Sequence, residues 1–162
     1  MTAHLTKTRA KNSKPIWLCD TSLAIADGGS GAALVWAKAN GFDGKAGSLL
    51  LVPNEKGEVS GALFGVASQT PDEQLSFGKL ATGLPAGDWH FVGPPANPEL
   101  ATLGFLLGGY RFDKYRKSSD KVVSLTTPEG IDQAAVERIA TAVYLARDLI
   151  NTPANDMGPQ AI

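Results

Sequence analysis

The stretch GSLLLVPNEKGEVSGALFGVAS, residues 47–68, decides how this chain folds. Residues 49–52 form an apolar run without alternation, which is typical of a strand buried on both faces. Residues 54–57 have the composition of a tight turn, and a second apolar segment follows at residues 59–66. Two strands joined by so short a turn run antiparallel. The stretch therefore predicts at least one antiparallel pair in a sheet that is covered on both sides.

Strand and helix patterns alternate on either side of this predicted hairpin. The segments before it predict a strand and its exit over residues 15–26 and a short helix over residues 30–41. The segments after it predict helices over residues 71–83 and 97–117 and strands over residues 87–93 and 121–127. This order predicts an α/β fold in which a mixed β-sheet is sandwiched between helices.

The clearest helix pattern lies near the end of the sequence. Thr126 and Glu129 have the spacing of a capping box, and Pro128 suits a first helical turn. The apolar side chains that follow predict one buried stripe, which comprises Val136, Ile139, Ala140, Val143, Ala146 and Ile150. We expect the helix to end before Pro153, because its ring disfavours helical geometry in the residue before it.

Composition bounds the possible functions. The 162 residues suit one domain, and a formal net charge of −1 gives no sign of a strong polyanion binder. The longest apolar run, residues 100–107, is far shorter than the roughly 20 residues of a membrane-spanning helix, so we expect no membrane contact. The basic segment 1–14 contains no acidic residue and predicts a flexible tail. The single cysteine, Cys19, is expected to be a small buried apolar residue.

The chain offers few candidates for chemistry. The glycine-rich stretch DGGSG, residues 27–31, could meet an anion at a helix N-terminus, but it lacks the spacing of a phosphate loop and is expected to be a turn. The acidic residues are scattered, so we expect no metal site. His4 lies in the predicted tail. His90 lies in a strand, where we expect a hydrogen-bonded, half-buried imidazole rather than a metal ligand.

The stretch YRFDKYRK, residues 110–117, interleaves aromatic and basic side chains, which can indicate nucleic-acid binding. If the helix continues through it, Arg111, Lys114 and Lys117 share one face. Cations near a helix C-terminus also offset the helix dipole. We expect a solvated face, because affinity for a phosphate backbone depends on many cations.

The segment RDLINTPANDMGP, residues 147–159, resembles the junction between the two domains of leucyl aminopeptidases, also called cytosol aminopeptidases. In that family a helix ending in Arg-Asp-Leu is followed by Asn-Thr-Pro-Ala-Asn. A second stretch, GFLLGGYRFDKYRK at residues 104–117, resembles a helix of the family's N-terminal domain. The residues that match the junction motif are Arg147, Asp148, Asn151, Thr152, Pro153 and Asn155.

The resemblance implies a macro-domain-like α/β sandwich over residues 15–150, with residues 151–162 beginning a linker to a catalytic domain outside this sequence. It also implies a cytoplasmic parent enzyme, a homohexamer, that removes N-terminal residues from peptides with two Zn or Mn ions. The family's metal ligands and catalytic residues lie in that other domain. The resemblance therefore implies no catalytic, cofactor-binding or metal-binding residue here, and a role in assembly and active-site access.

Two alternatives stay open. A macro-like fold suggests a module that binds ADP-ribose or another nucleotide, with residues 27–31 as the phosphate loop, although fold analogy is weak evidence for function. A DNA-binding domain would use the basic residues Arg111, Lys114, Lys117 and Lys121.

Overall fold

The computed structural model describes residues 3–25, 31–66, 71–115 and 121–158. Six strands form one sheet in the order β1-β6-β5-β2-β4-β3. The strands are β1 (Ala3–Thr6), β2 (Lys14–Cys19), β3 (Leu49–Pro53), β4 (Val59–Gly65), β5 (Gly87–Val92) and β6 (Val123–Thr126). The helices are α1 (Gly31–Ala39), α2 (Pro71–Leu75), α3 (Gly78–Gly83), α4 (Pro98–Gly108) and α5 (Gln133–Asn151), and a 3₁₀ turn (Ala154–Asp156) follows.

The predicted mixed sheet is confirmed. Strands β3 and β4 pair antiparallel, and the other neighbouring strands pair parallel. The turn between β3 and β4 is closed by Asn54, whose side-chain oxygen accepts hydrogen bonds from the amides of Lys56 and Glu58, both at 2.9 Å. Gly57 completes the turn at φ +80°, a conformation that favours glycine.

Alternating side chains of the strands enter two separate apolar clusters, as a two-sided sheet requires. Ile16 and Leu18 of β2 lie in the larger cluster, which also contains side chains of α3, α4 and α5. Trp17 and Cys19 lie in the smaller cluster with Ala33 of α1. Helices therefore pack on both faces, and the predicted sandwich is confirmed.

The expectation of a flexible tail over residues 1–14 is wrong for residues 3–6. These residues form β1, which pairs in parallel with β6, and Thr6 accepts a hydrogen bond from the amide of Thr127 at 2.9 Å. Ala3 is buried in the larger cluster, and Leu5 packs against it. A four-residue strand whose partner lies at the other end of the chain leaves little local signal in the sequence.

The single helix predicted over residues 71–83 is divided into α2 and α3. The chain turns at Ser76 and Phe77, and the Phe77 ring is buried against Phe64 with 5.0 Å between ring centroids. Helix α3 then crosses α4 at very short range. A Cβ atom added to Gly108 would lie only 2.1 Å from the carbonyl oxygen of Gly78, which is too close for any side chain. Close approach of the two backbones thus depends on glycine.

Helix α5 begins later than predicted, and the predicted buried stripe is confirmed for Val136 and Ala140 but wrong for Ile139 and Ile150. Its N-cap is Asp132, whose side chain accepts from the amide of Ala135 at 3.1 Å, so the predicted capping box at Thr126 and Glu129 is wrong. Thr126 instead ends β6. The buried side chains of α5 are Val136, Ala140 and Tyr144, whereas Ile139 is 47 % exposed and Ile150 is 82 % exposed.

Candidate functional site: the interdomain junction

The residues that match the junction motif meet the segment after α4. The hydroxyl of Tyr110 donates to Asp148 Oδ1 at 2.8 Å. The side-chain amide of Asn151 donates to the Tyr110 oxygen at 3.1 Å. One phenol therefore connects two predicted junction residues with the second stretch that carries the family resemblance.

Arg147 packs against the domain instead of projecting from it. Its guanidinium donates to the carbonyl of Leu107 at 3.0 Å and lies 5.2 Å from the ring centroid of Tyr110. Leu107 is in the last turn of α4, and its carbonyl also accepts from the amide of Tyr110 at 3.4 Å. A cation at this position offsets the helix dipole. The hydroxyl of Tyr144 donates to the neighbouring carbonyl of Leu106. Arg147 and Tyr144 together hold the end of α4 against α5.

The helix ends where the sequence predicts. Thr152 leaves the helical conformation at φ −78°, ψ 124°, and its hydroxyl donates to the carbonyl of Asp148 at 2.7 Å. Pro153 follows, and the 3₁₀ turn begins directly after it. Asp156 in that turn accepts a hydrogen bond from Tyr115. Asn155 is exposed. The exit from α5 is therefore held at two points, by Tyr110 and by Tyr115.

Both of these phenols remain protonated at neutral pH. The hydrogen bond to Asp156 is the main cause that raises the pKa of Tyr115 to about 12. Loss of solvent contact raises the pKa of Tyr110, and the Asp148 carboxylate acts in the same direction. An ionised phenol cannot donate to a carboxylate, and a phenol with the ordinary pKa of about 10 is already protonated at physiological pH, so the raised pKa values extend both contacts to more alkaline pH.

An apolar surface runs along α5 beside the junction. Its large side chains are Ile139, Leu145, Leu149 and Ile150, which are between 39 % and 82 % exposed. We call these four residues the apolar face of α5. The sequence pattern assigned Ile139 and Ile150 to the core, but they lie on this outer face. Exposed apolar surface of this kind marks an interaction site.

The predicted basic face is not formed as a helical face. Helix α4 ends at Gly108, and residues 110–115 are not helical. Arg111 forms an ion pair with Asp113 at 2.7 Å, and the Lys121 ammonium donates to the carbonyl of Thr82 at 2.6 Å. Lys114 lies 5.6 Å from the ring centroid of Tyr115. Lys117 lies outside the described residues.

The other candidates from the sequence have ordinary structural surroundings. His90 is buried and lies 2.9 Å from the Ser13 hydroxyl through Nδ1, which confirms the expected hydrogen-bonded imidazole. The thiol of Cys19 is buried in the smaller cluster, as expected, and burial raises its pKa to about 11. Residues 27–30 of the glycine-rich stretch lie outside the described residues.

The donor set of the described residues does not fit a metal centre. In residues 3–25, 31–66, 71–115 and 121–158, no three His, Cys, Asp or Glu side chains are placed to hold an ion. Two-metal chemistry is therefore not assigned to these side chains. Over the same ranges, no helix is both long enough and apolar enough to cross a bilayer.

Sequence reasoning missed Tyr144, Tyr115 and Asp156. Tyr144 follows Ala140 by four positions, so a stripe drawn through Val136 and Ala140 would have included it. Tyr115 and Asp156 are far apart in the sequence, and no local pattern predicts their contact.

Comparison with known proteins identifies the family. A model described as the N-terminal domain of M17 aminopeptidases matches residues 17–128. The probable cytosol aminopeptidase of Wolinella succinogenes is 36 % identical over 146 residues, covering 75 % of this chain and 29 % of that protein. The crystal structure of a cytosol aminopeptidase from Coxiella burnetii is 32 % identical with a TM-score of 0.78, covering 97 % of this chain and 35 % of that one.

A third comparison concerns the fold alone. The structure of the bottromycin maturation enzyme BotP in complex with Mn has a TM-score of 0.70 at 24 % identity, covering 94 % of this chain and 34 % of that one. None of these similarities supports the nucleotide-binding or DNA-binding alternatives. The family model spans more than half of the sequence, and the chain therefore belongs to the M17 aminopeptidase family, in which it corresponds to the N-terminal domain.

Proposed function

We propose that this chain is the non-catalytic part of a longer, metal-dependent leucyl aminopeptidase that removes N-terminal residues from peptides. The chain spans 29 % of the length of the Wolinella relative and 35 % of the Coxiella structure, which are both named cytosol aminopeptidases. Their names support a cytoplasmic location. In this proposal two Zn or Mn ions are bound by the remainder of the parent protein, and the Mn in the BotP structure, which shares this fold, supports that assignment.

The observation that carries the proposal is the apolar face of α5 next to a fixed chain exit. Leu145 is 61 % exposed and Ile150 is 82 % exposed, on the helix that leads directly into the junction motif. A contiguous exposed apolar patch is the kind of surface that another domain or protein covers. We assign the covering surface to the catalytic domain, with the domain body ending at residue 150 and residues 151–162 beginning the linker.

The role of the domain in this proposal is architectural. It supports assembly of a homohexamer and limits the access of peptides to the catalytic centre. The junction motif serves this role by fixing the direction in which the chain leaves α5, because Asp148 and Asn151 are both bound to Tyr110. A fixed exit restricts how the next domain can be oriented.

Leucine release from a chromogenic leucine anilide tests the catalytic assignment. We expect none from the 162-residue chain supplied with Mn²⁺ or Zn²⁺, and metal-dependent release from the product of the complete reading frame. Release by the short chain that a chelator abolishes would overturn the proposal, and so would an inactive complete protein that is folded and metal-loaded.

A pair of substitutions tests the interdomain surface. Leu145→Asp and Ile150→Asp should leave the melting temperature of the short chain unchanged, because surface substitutions usually change stability by less than about 0.5 kcal/mol. In the complete protein both should lower the melting temperature and leucine release. Val35→Asp is the matched control, since Val35 is 69 % exposed on α1. Equal effects of Val35→Asp and Leu145→Asp in the complete protein would contradict the assignment.

A further inference from the structure

On the sheet face opposite the larger apolar cluster, the half formed by β1, β6 and β5 carries polar side chains. Trp89 of β5, Leu125 of β6 and Leu5 of β1 point into or pack against the larger apolar cluster. Their neighbours one position along, His90, Thr126 and Thr6, therefore point to the opposite face. The strand residues in the apolar cluster beneath α1 come only from β2, β3 and β4. The face over β1, β6 and β5 thus displays an imidazole and hydroxyls instead of an apolar core.

A cavity of about 790 Å³ opens where these three parallel strands end. Thr6, Thr126 and Val92 are the last residues of β1, β6 and β5. Ligands of α/β proteins bind at the carboxyl ends of parallel strands, and a volume of this size is in the range of small-molecule sites. The cavity is remote from the apolar face of α5, since none of its lining residues belongs to that helix.

The cavity is lined by two cationic side chains and by a threonine whose hydroxyl has no hydrogen-bond partner among the described residues. Lys7 and Arg9 follow β1 and line it, together with the buried His90. Thr126 also lines it, and its Oγ1 atom is buried and has no hydrogen-bond partner in the described part of the chain. A buried hydroxyl without a partner costs about 1 to 3 kcal/mol, so a polar ligand atom is the expected partner for it.

We infer that this cavity is a binding site for a small organic polyanion, with Lys7 and Arg9 binding its acidic groups and Thr126 donating a hydrogen bond to it. An Arg guanidinium binds a carboxylate or a phosphate through paired N–H donors, and a nearby Lys adds a point charge. Pro94 and Pro128 supply apolar wall, which suits a carbon skeleton better than a bare inorganic ion.

One acidic residue, Glu129, lies at the same cavity and is exposed. Its carboxylate repels an anion bound by Lys7 and Arg9, so it limits affinity instead of contributing to it. The site therefore predicts that removing Lys7 or Arg9 weakens binding and that removing Glu129 strengthens it, whereas a charge removed far from the cavity leaves binding unchanged.

The test is titration of the 162-residue chain with citrate and with pyrophosphate, followed by amide chemical shifts at matched ionic strength, with acetate as the monoanion control. We expect saturable shifts around residues 7–9, 90–94 and 126–129 with at least one of the two polyanions. Saturation by citrate alone identifies a carboxylate ligand, and saturation by pyrophosphate alone identifies a phosphate ligand. No saturable shift with either one overturns the inference.

Variants of the site make the test specific. Arg9→Gln should weaken binding about tenfold, the loss of one charge-assisted contact, and Glu129→Gln should strengthen it. Thr126→Val should weaken binding without lowering the melting temperature, since it removes a buried hydroxyl that has no protein partner. Lys56→Gln, in the exposed β3–β4 turn, is the charge-matched control. Equal weakening by Lys56→Gln and Arg9→Gln, or weaker binding by Glu129→Gln, would contradict a specific site.

Discussion

The hydroxyl of Tyr110 donates a hydrogen bond to Asp148 at 2.8 Å, although 38 positions separate them in the sequence. Tyr110 follows the last turn of α4, and Asp148 lies in the last turn of α5. This contact links the C-terminal end of α4 to the C-terminal end of α5. It also places the second stretch of the family resemblance directly against the first.

The Tyr110→Phe substitution should loosen the exit from α5. It keeps the ring beside Arg147 but removes the hydroxyl that binds Asp148 and Asn151. We expect faster hydrogen exchange of the backbone amides at residues 150–152, measured by mass spectrometry, since opening of helix ends controls that exchange. Tyr115→Phe is the companion variant and should loosen residues 154–157 instead. Identical exchange in the two variants would show that the chain exit is not held at two separate points.

The two faces of α5 should respond differently to shortening. Val136 is 1 % exposed, and Val136→Ala should lower the free energy of unfolding by about 2 kcal/mol. Ile139 is the larger side chain but is 47 % exposed, so Ile139→Ala should cost less than about 1 kcal/mol. Urea denaturation of the 162-residue chain measures both. A larger loss for Ile139→Ala than for Val136→Ala would show that Ile139 is buried, as the sequence pattern predicted.

The crossing of α3 and α4 should not tolerate a methyl group. In Gly108→Ala the new Cβ would lie 2.1 Å from the Gly78 carbonyl oxygen, so the two helices must separate. We expect a loss of about 3 kcal/mol in the free energy of unfolding. Gly31→Ala is the control, because no atom of the described residues lies within 4 Å of its added Cβ, and it should stay within about 1 kcal/mol of the parent chain. Equal stability of the two variants would contradict the close crossing.

The stability of the chain should fall as the pH drops through the titration range of His90. Burial, and then the charge of Arg9, lower the pKa of His90 below its ordinary value of 6.5. Below pH 6.5 the unfolded chain therefore binds this proton more readily than the folded chain does. The contribution of neutral His90 to the free energy of unfolding is therefore fully present above pH 6.5 and is lost as the pH falls through the pKa that His90 has in the folded chain. The urea midpoint should be lower at about pH 5.5 than at about pH 7.5, with a smaller difference in His90→Gln.

Cys19 should be unreactive in the folded chain. A pKa of about 11 leaves about one thiol in a thousand ionised at pH 8, and the side chain is also buried. We expect iodoacetamide to modify it slowly in buffer and rapidly in concentrated urea, as followed by intact mass. Similar rates in the two conditions would show that the smaller apolar cluster opens readily.

Local patterns in the sequence predicted the elements whose signals are local. The β3–β4 hairpin, the helix start at Asn97 and the helix stop before Pro153 all depend on residues within a few positions of each other. The mixed sheet and the helices on both of its faces follow from the order of those elements, which is why the fold class could be predicted.

The errors have a common physical origin in contacts between distant parts of the chain. Four residues at 3–6 form a strand only because β6 lies beside them. Arg147 is off the apolar stripe by periodicity, yet it packs because Tyr110 and the end of α4 lie next to it. The polar cavity combines residues near positions 8, 91 and 127, and no motif connects those three segments.

The pairing of Ala3 with Val123 also orders events during synthesis. Of the six strands, β1 leaves the ribosome first, but the strand that pairs with it appears only after α1 to α4 have been made. Of the six strands, β1 is thus translated first and docked last, and until β6 emerges both β1 and the facing edge of β5 are unpaired. A nascent chain stalled before residue 123 should bind chaperones that recognise unpaired strands, and release from them should coincide with the emergence of β6.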